Sequence, residues 1–260
     1  MSSSVRAVFF SPTRTTKTIT ETVANALSAP LEAVRATVDL TLPGQRPADV
    51  VCEADDVLVF GFPVYAGRVP VLLREQFAHL SGQDTPAVVV GLYGNRDFDD
   101  ALLEAADLLA ERGFTVIAAG AFIGEHSLTA RVGTNRPDDA DIATAREFGR
   151  ELGARLAAGK ALAAPAIKGN RPYKELKPGP DVRPLTTDDC TSCGICVARC
   201  PLGIIHEDDP FLVDAGCLHC CACVKGCPEN AKHFSSESTD MVITMLETKC
   251  QERREAELYW

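Results

Sequence analysis

Short apolar runs alternate with helix-spaced stretches along roughly the first 156 residues. Residues 5–10 (VRAVFF) read as a buried strand, and behind it Ile19, Val23, Ala26 and Leu27 recur at helical spacing. A second apolar, β-branched stretch runs from Leu31 to Val38. The strongest strand signal is DDVLVFGFPV at 55–64, followed by a helical segment from about Val69 to Leu80. Two more strands are predicted at 86–94 (PAVVVGLYG) and 113–124 (GFTVIAAGAFIG), with a helix between them from Phe98 to Glu111. An amphipathic helix from about Asp138 to Leu156 closes the series. Continuous apolar strands alternating with helices predict a parallel sheet covered on both faces. The expected fold is therefore α/β, a doubly wound five-stranded parallel sheet, whose ligands bind outside the carboxyl ends of the strands.

Periodicity stops after that helix. Pro165, Pro172, Pro178, Pro180 and Pro184 punctuate the next stretch, which predicts an extended, semi-rigid connection. Four parts follow: an α/β domain at 1–157, a connection at 158–185, a cysteine-rich domain at 186–236, and a C-terminal extension at 237–260 to which the pattern assigns no element.

Composition adds little to the fold and more to the partners. At 260 residues, 46% hydrophobic and 24% charged, the chain can bury a core, and no apolar run is long enough to predict a membrane span. The start, MSSSVRAVFF, lacks the pattern of a secretory leader, so a cytoplasmic protein is expected. A net charge of −10 argues against nucleic acid as a partner. From Asp181 onward acidic residues are twice as numerous as basic ones, which suits docking on basic patches of redox partner proteins, or serves solubility alone.

Ten of the eleven cysteines lie at or beyond Cys190. Cys190, Cys193, Cys196 and Cys200 precede Pro201, and Cys217, Cys220, Cys223 and Cys227 precede Pro228, each member 27 residues after its counterpart. The unit is C-x2-C-x2-C-x3-C-P. Three closely spaced thiolates can wrap one face of a cubane cluster, while the fourth, made extended by its proline, reaches the other cluster. This assigns Cys190, Cys193, Cys196 and Cys227 to one [4Fe-4S] cluster and Cys217, Cys220, Cys223 and Cys200 to a second. Zinc is the alternative for C-x2-C pairs, but it calls for two separated pairs rather than a repeated run of three. These residues resemble the bacterial two-cluster ferredoxins over about 186–236, which implies a small α+β domain and low-potential one-electron transfer. Cys221, beside Cys220, reads either as a small buried hydrophobe or as a thiol that competes for or tunes the cluster. Cys52 and Cys250 read as buried hydrophobes.

Three loops gather at the carboxyl edge of the predicted sheet. Ser11-Pro12-Thr13-Arg14-Thr15-Thr16-Lys17 follows the first strand and opens a helix, a hydroxyl-rich cradle for phosphate or simply a helix cap. Neither a Walker loop nor G-x-G-x-x-G is present. Residues 63–70 (PVYAGRVP) and 93–98 (YGNRDF) bring aromatics and glycines to the same edge. With these loops the chain resembles a flavodoxin over about residues 5–156, although Pro12 and Arg14 stand where that family usually has glycine. The resemblance implies flavin mononucleotide (FMN), its phosphate held by Ser11, Thr13, Arg14, Thr15 and Thr16. Its ring would lie between Pro63, Val64, Tyr65, Ala66, Gly67 and Arg68 on one side and Tyr93, Gly94, Asn95, Arg96 and Phe98 on the other. Arg68 reads as a charge beside the ring or as a surface arginine, and His126, after the fifth strand, as a neighbour of the flavin or a structural residue.

Taken whole, with the G-N-R-P-Y stretch at 169–173, the chain resembles the flavodoxin–ferredoxin fusion proteins of anaerobic bacteria and archaea. The resemblance implies electron transfer between two [4Fe-4S] clusters and FMN, converting one- to two-electron steps. The alternative is an FMN-dependent reductase of a small acceptor fed by the clusters.

Overall fold

The apolar runs become strands where β-branched and aromatic side chains can be buried on both faces at once. The computed structural model describes residues 4–160, 162–176 and 179–260; the first three residues of the start and Pro178 of the connection lie outside them. In chain order the elements are β1 (Ser4–Phe9), α1 (Thr15–Leu31), β2 (Val34–Asp39), β3 (Val50–Val51), β4 (Val57–Pro63), α2 (Val71–Phe77), β5 (Leu80–Ser81), β6 (Thr85–Tyr93), α3 (Ala101–Ala110), β7 (Phe114–Ile123) and α4 (Asp139–Ala157). Strands β2, β1, β4, β6 and β7 lie side by side in that order, all parallel. Numbered among themselves they run 2-1-3-4-5, the flavodoxin-like doubly wound order. The pair β3–β5 is a separate two-residue ribbon.

Each face of the sheet has its own core. Ile19, Val23 and Leu27 of α1 and Ala145, Phe148 and Leu152 of α4 pack against one face. Leu73 and Phe77 of α2 and Leu102, Ala105 and Leu109 of α3 pack against the other. Helices α1 and α4 meet closely because α4 carries glycine at the crossing: a Cβ on Gly149 would stand 2.3 Å from the Val23 carbonyl oxygen. Helix α4 starts at a capping box in which Asp138 accepts from the Ala140 and Asp141 backbones and Asp141 accepts from the Asp138 backbone.

The connection has neither helix nor strand among its described residues before β8, and it lies along α3. The buried Asp100 carboxylate accepts from the Asn170 backbone and side chain (2.8 and 3.1 Å) and the Lys174 backbone (2.6 Å). Arg171 pairs with Asp107. Arg68 is buried, forms a two-pronged pair with Glu104 (2.7 and 2.8 Å), lies over the Tyr173 ring and donates to the Lys174 carbonyl. It is a joint between the sheet's edge and the connection.

The remaining elements are β8 (Leu185–Thr186), α5 (Ile195–Ala198), α6 (Ala222–Gly226), β9 (Lys232–His233), α7 (Glu237–Lys249) and β10 (Glu257–Tyr259). Strands β8 and β9 pair antiparallel and close the cysteine-rich domain. The extension, given no element by its sequence pattern, forms α7 and then adds β10 antiparallel to the free edge of β7, Leu258 facing Gly120. Leu258 packs into one core and Tyr259 into the other, as alternation along a strand requires. Trp260 meets Phe148 edge-on at 4.9 Å under the Arg155 guanidinium. The added strand covers an edge that would otherwise invite pairing with another chain. On the way, the buried Asn95 side chain donates to the Cys250 and Glu252 carbonyls (2.7 and 2.8 Å). Among the described residues no helix is long and apolar enough to cross a membrane.

Two substitutions test these joints. Arg68→Ala strands the Glu104 carboxylate and is expected to cost roughly 3 kcal/mol in urea denaturation, the low end for a broken buried pair because Arg74 still reaches Glu104; unchanged stability would contradict the joint. Asn95→Ala leaves two carbonyls unpaired, at a cost of about 1–3 kcal/mol, and is expected to make residues 250–256 a new site of limited proteolysis.

Candidate functional site

Two cavities occupy the cysteine-rich domain, and each draws thiols from both halves of the repeat. One, about 340 Å³, is lined by Cys190, Cys193, Cys196 and Cys227 with Pro210, Ala231 and Lys232. The other, about 360 Å³, is lined by Cys217, Cys220, Cys223 and Cys200 together with Cys221, Leu202, Ile205, Leu218 and Phe234. The sulfurs receive matching backbone donors, Ser192 N–H to Cys190 and His219 N–H to Cys217, both at 3.4 Å. The Ala231 N–H reaches the Cys227 sulfur at 3.2 Å. Such donors favour the thiolate that a metal needs. Burial, helped by the neighbouring cysteines, works the other way, pushing the Cys220 and Cys223 thiols up to about 12 and raising those of Cys196 and Cys217. Metal binding must therefore displace their protons. Among the described residues no three His, Cys, Asp or Glu side chains converge as one ion requires; the thiols instead surround a space. Apolar walls, four thiols and donors aimed at sulfur suit an inorganic cluster.

A third cavity, about 420 Å³, opens at the carboxyl edge of the sheet between β1, β4, β6 and β7. Thr13, Thr15, Pro63, Val64, Tyr65, Tyr93 and Gly94 line it, joined by Gly124, Glu125, His126 and Ser127 after β7. The imidazole of His126 lies over Gly94, where a Cβ would stand 2.4 Å from the ring. Its Nδ1 accepts from the Leu128 N–H at 3.2 Å, which leaves the proton on Nε2. Burial, with Lys225 and Arg96 nearby, lowers its pKa to about 4, so the ring is neutral near pH 7.

The cysteine-rich domain is seated against this edge. Cys220 lines both the second thiol cavity and the sheet-edge cavity. Half-buried Tyr65 lines that cavity; desolvation raises its pKa well above the usual value, and Cys220, Cys221 and Cys217 add to the effect. Lys225 pairs with Glu125 at 2.7 Å, and Arg46 donates to the Pro201 carbonyl at 2.6 Å. Beside them is a cleft of about 620 Å³ lined by Ser11, Arg14, Lys17, Asp39, Thr41 and Arg199.

The residues expected around FMN thus divide. Thr13, Thr15, Pro63, Val64, Tyr65, Tyr93 and Gly94 share the sheet-edge cavity, while Ser11 and Arg14 face the adjoining cleft. Ser11 shapes the loop: its hydroxyl accepts from the Lys17 N–H at 2.9 Å, and its own N–H donates to Thr41. Arg14 takes a left-handed φ of 70° just before α1, the conformation that favours the glycine usual at that place. Thr16 is buried beneath the loop. Ala66 and Gly67 form the turn of a bridge from Tyr65 to Arg68, where a Cβ on Gly67 would meet Asp99.

Five residues lie elsewhere than expected. Arg68 is buried rather than at the surface, does not line the sheet-edge cavity, and spends its charge on Glu104 and the connection. Asn95 holds the C-terminal extension, and Arg96 pairs with Asp99. Phe98 is fully buried in the α3-side core under Lys168. Cys250, expected to be a buried hydrophobe, is only half-buried; Cys52 is fully buried. Sequence reasoning missed Arg199 and the double position of Cys220, for which no local signal exists.

Residues 184–206 match the 4Fe-4S binding domain family. No curated protein matches the chain. Among solved structures it is similar to a flavodoxin from the Archaea (15% identity, 60% of this chain and 99% of that one, TM-score 0.42). It is also similar to the flavodoxin of Streptococcus pneumonia TIGR4 (19%, 59% and 99%, TM-score 0.41) and to an NAD(P)H:quinone oxidoreductase from Methanothermobacter marburgensis (17%, 60% and 96%, TM-score 0.37). The strand order and the family match together identify the chain as a fusion of an N-terminal flavodoxin-like α/β domain with a C-terminal 4Fe-4S binding domain.

Proposed function

We propose that this chain is an electron-transfer protein that carries two [4Fe-4S] clusters in its C-terminal domain and FMN at the carboxyl edge of its sheet, and moves electrons between them within one molecule. The observation that carries the reading is the position of Cys220, which lines a thiol cavity on one side and the sheet-edge cavity on the other. When bound, the clusters supply one-electron and the flavin two-electron chemistry, so the fusion converts between the two.

The chain's own part is to hold, orient and insulate. Cys190, Cys193, Cys196 and Cys227 would hold one cluster, and Cys217, Cys220, Cys223 and Cys200 the other. The hydroxyls of Thr13 and Thr15 and the free N–H groups opening α1 would take the phosphate. Tyr65 and the Tyr93–Gly94 backbone would flank the ring, with neutral His126 offering an N–H. Tyr65 lines the sheet-edge cavity alongside Cys220, where the two cavities meet.

The carrier is favoured over the reductase because Cys220, from the other domain, forms part of the wall of the sheet-edge cavity, so that part of the cavity faces a thiol site and not a free acceptor. A basic redox protein is the expected external partner. Exposed Glu207 and Asp208 and half-buried Asp209 precede Pro210, which lines the first thiol cavity, and so place negative charge beside the cluster proposed there.

Anaerobic purification followed by assay of iron, acid-labile sulfide and flavin tests this reading. About eight irons and about one FMN per chain are expected. Iron without flavin would remove the FMN half, and about four irons the second cluster.

A further inference from the structure

The two halves of the cysteine repeat differ at one informative position. Gly194 in the first half corresponds to Cys221 in the second, 27 residues later. Both are left-handed, φ 73° and 59°, and each directly precedes its short helix. The neighbouring turn repeats as well, with Ser192 and His219 both at φ 53°. Glycine adopts this conformation freely, whereas a residue with a Cβ adopts it at a cost. The second half bears that cost, and the side chain it gains is a thiol.

That thiol is placed among the ligands. Cys221 is 2% exposed and lines the same cavity as Cys200, Cys217, Cys220 and Cys223. Among the described residues its sulfur has one hydrogen-bond contact, a weak one of 3.5 Å to the His219 carbonyl. The first cavity has four thiols and no fifth, although a Cβ on Gly194 would meet nothing within 4 Å.

Resting on the two-cluster reading above, we infer that Cys221 is a reserve ligand of the second cluster, able to replace its chain neighbour Cys220 on iron. The exchange breaks one iron–sulfur bond and forms another. The proton leaving the Cys221 thiol passes to the departing Cys220 thiolate, and no electron moves. The cluster beside the sheet-edge cavity then survives loss of the ligand at the domain junction, while the outer cluster has no such reserve.

The test compares full-length Cys220→Ala with the double variant Cys220→Ala/Cys221→Gly, which restores the glycine of the first half. Cys193→Ala, at the corresponding ligand of the cavity without a fifth thiol, is the reference. All are reconstituted anaerobically with iron and sulfide and read by iron and sulfide content and by electron paramagnetic resonance after reduction. Cys220→Ala is expected to keep about eight irons, and the double variant and Cys193→Ala to fall to about four. Cys220→Ser, closer in size, guards against a folding failure in Cys220→Ala and carries the same expectation. If wild type holds about eight irons and both single Cys220 variants fall to about four, the reserve ligand is overturned and the two-cluster reading stands. A wild-type chain with about four irons overturns both.

Discussion

Everything about this chain depends on the contact between Tyr65 at the edge of the sheet and the cysteine run at 217–221. There the cavity of the flavodoxin-like domain and a thiol cavity of the 4Fe-4S binding domain share a wall, and Cys220 belongs to both. Domains joined by a connection of this length ordinarily move relative to one another. Movement here would open the shared wall to water, so the chain has to hold the two parts together.

It does so with tethers at separate places. The connection is fixed along α3 through Asp100, Asp107 and the Arg68–Glu104 pair. Lys225 and Arg46 join the domains directly, each across the carboxyl edge. The extension returns to the α/β domain, is held by Asn95 in passing, and ends as a strand of the sheet itself. The polypeptide therefore crosses between domains twice, once out along α3 and once back to β7. This is why residues expected to touch a cofactor serve as anchors: the loops at the carboxyl edge are also the nearest attachment points for a second domain seated on that edge.

The strands were legible because residues such as 57–62 must be apolar on both faces, which leaves a run that needs no alternation to be recognised. The cysteine repeat was legible because ligand spacing is a local requirement. Arg68, Asn95 and Phe98 were not, since their roles are set by Glu104, Cys250 and Lys168, partners 36 to 155 residues away for the two that hydrogen-bond. The last strand was hidden for a related reason. Glu257–Tyr259 is too short to give a periodic signal, and its pairing is decided by the uncovered edge of β7. In the β1–α1 loop the sequence even pointed away from the conformation, because Arg14 takes the left-handed geometry that glycine usually supplies.

In the proposed function electrons cross between the domains inside one chain. Flash reduction of the clusters in the anaerobic, flavin-loaded protein, followed by flavin absorbance, tests it most directly. Transfer within one molecule gives a first-order flavin signal whose rate does not change as the protein is diluted. A rate that falls in proportion to protein concentration would mean that electrons pass between molecules, and would contradict it.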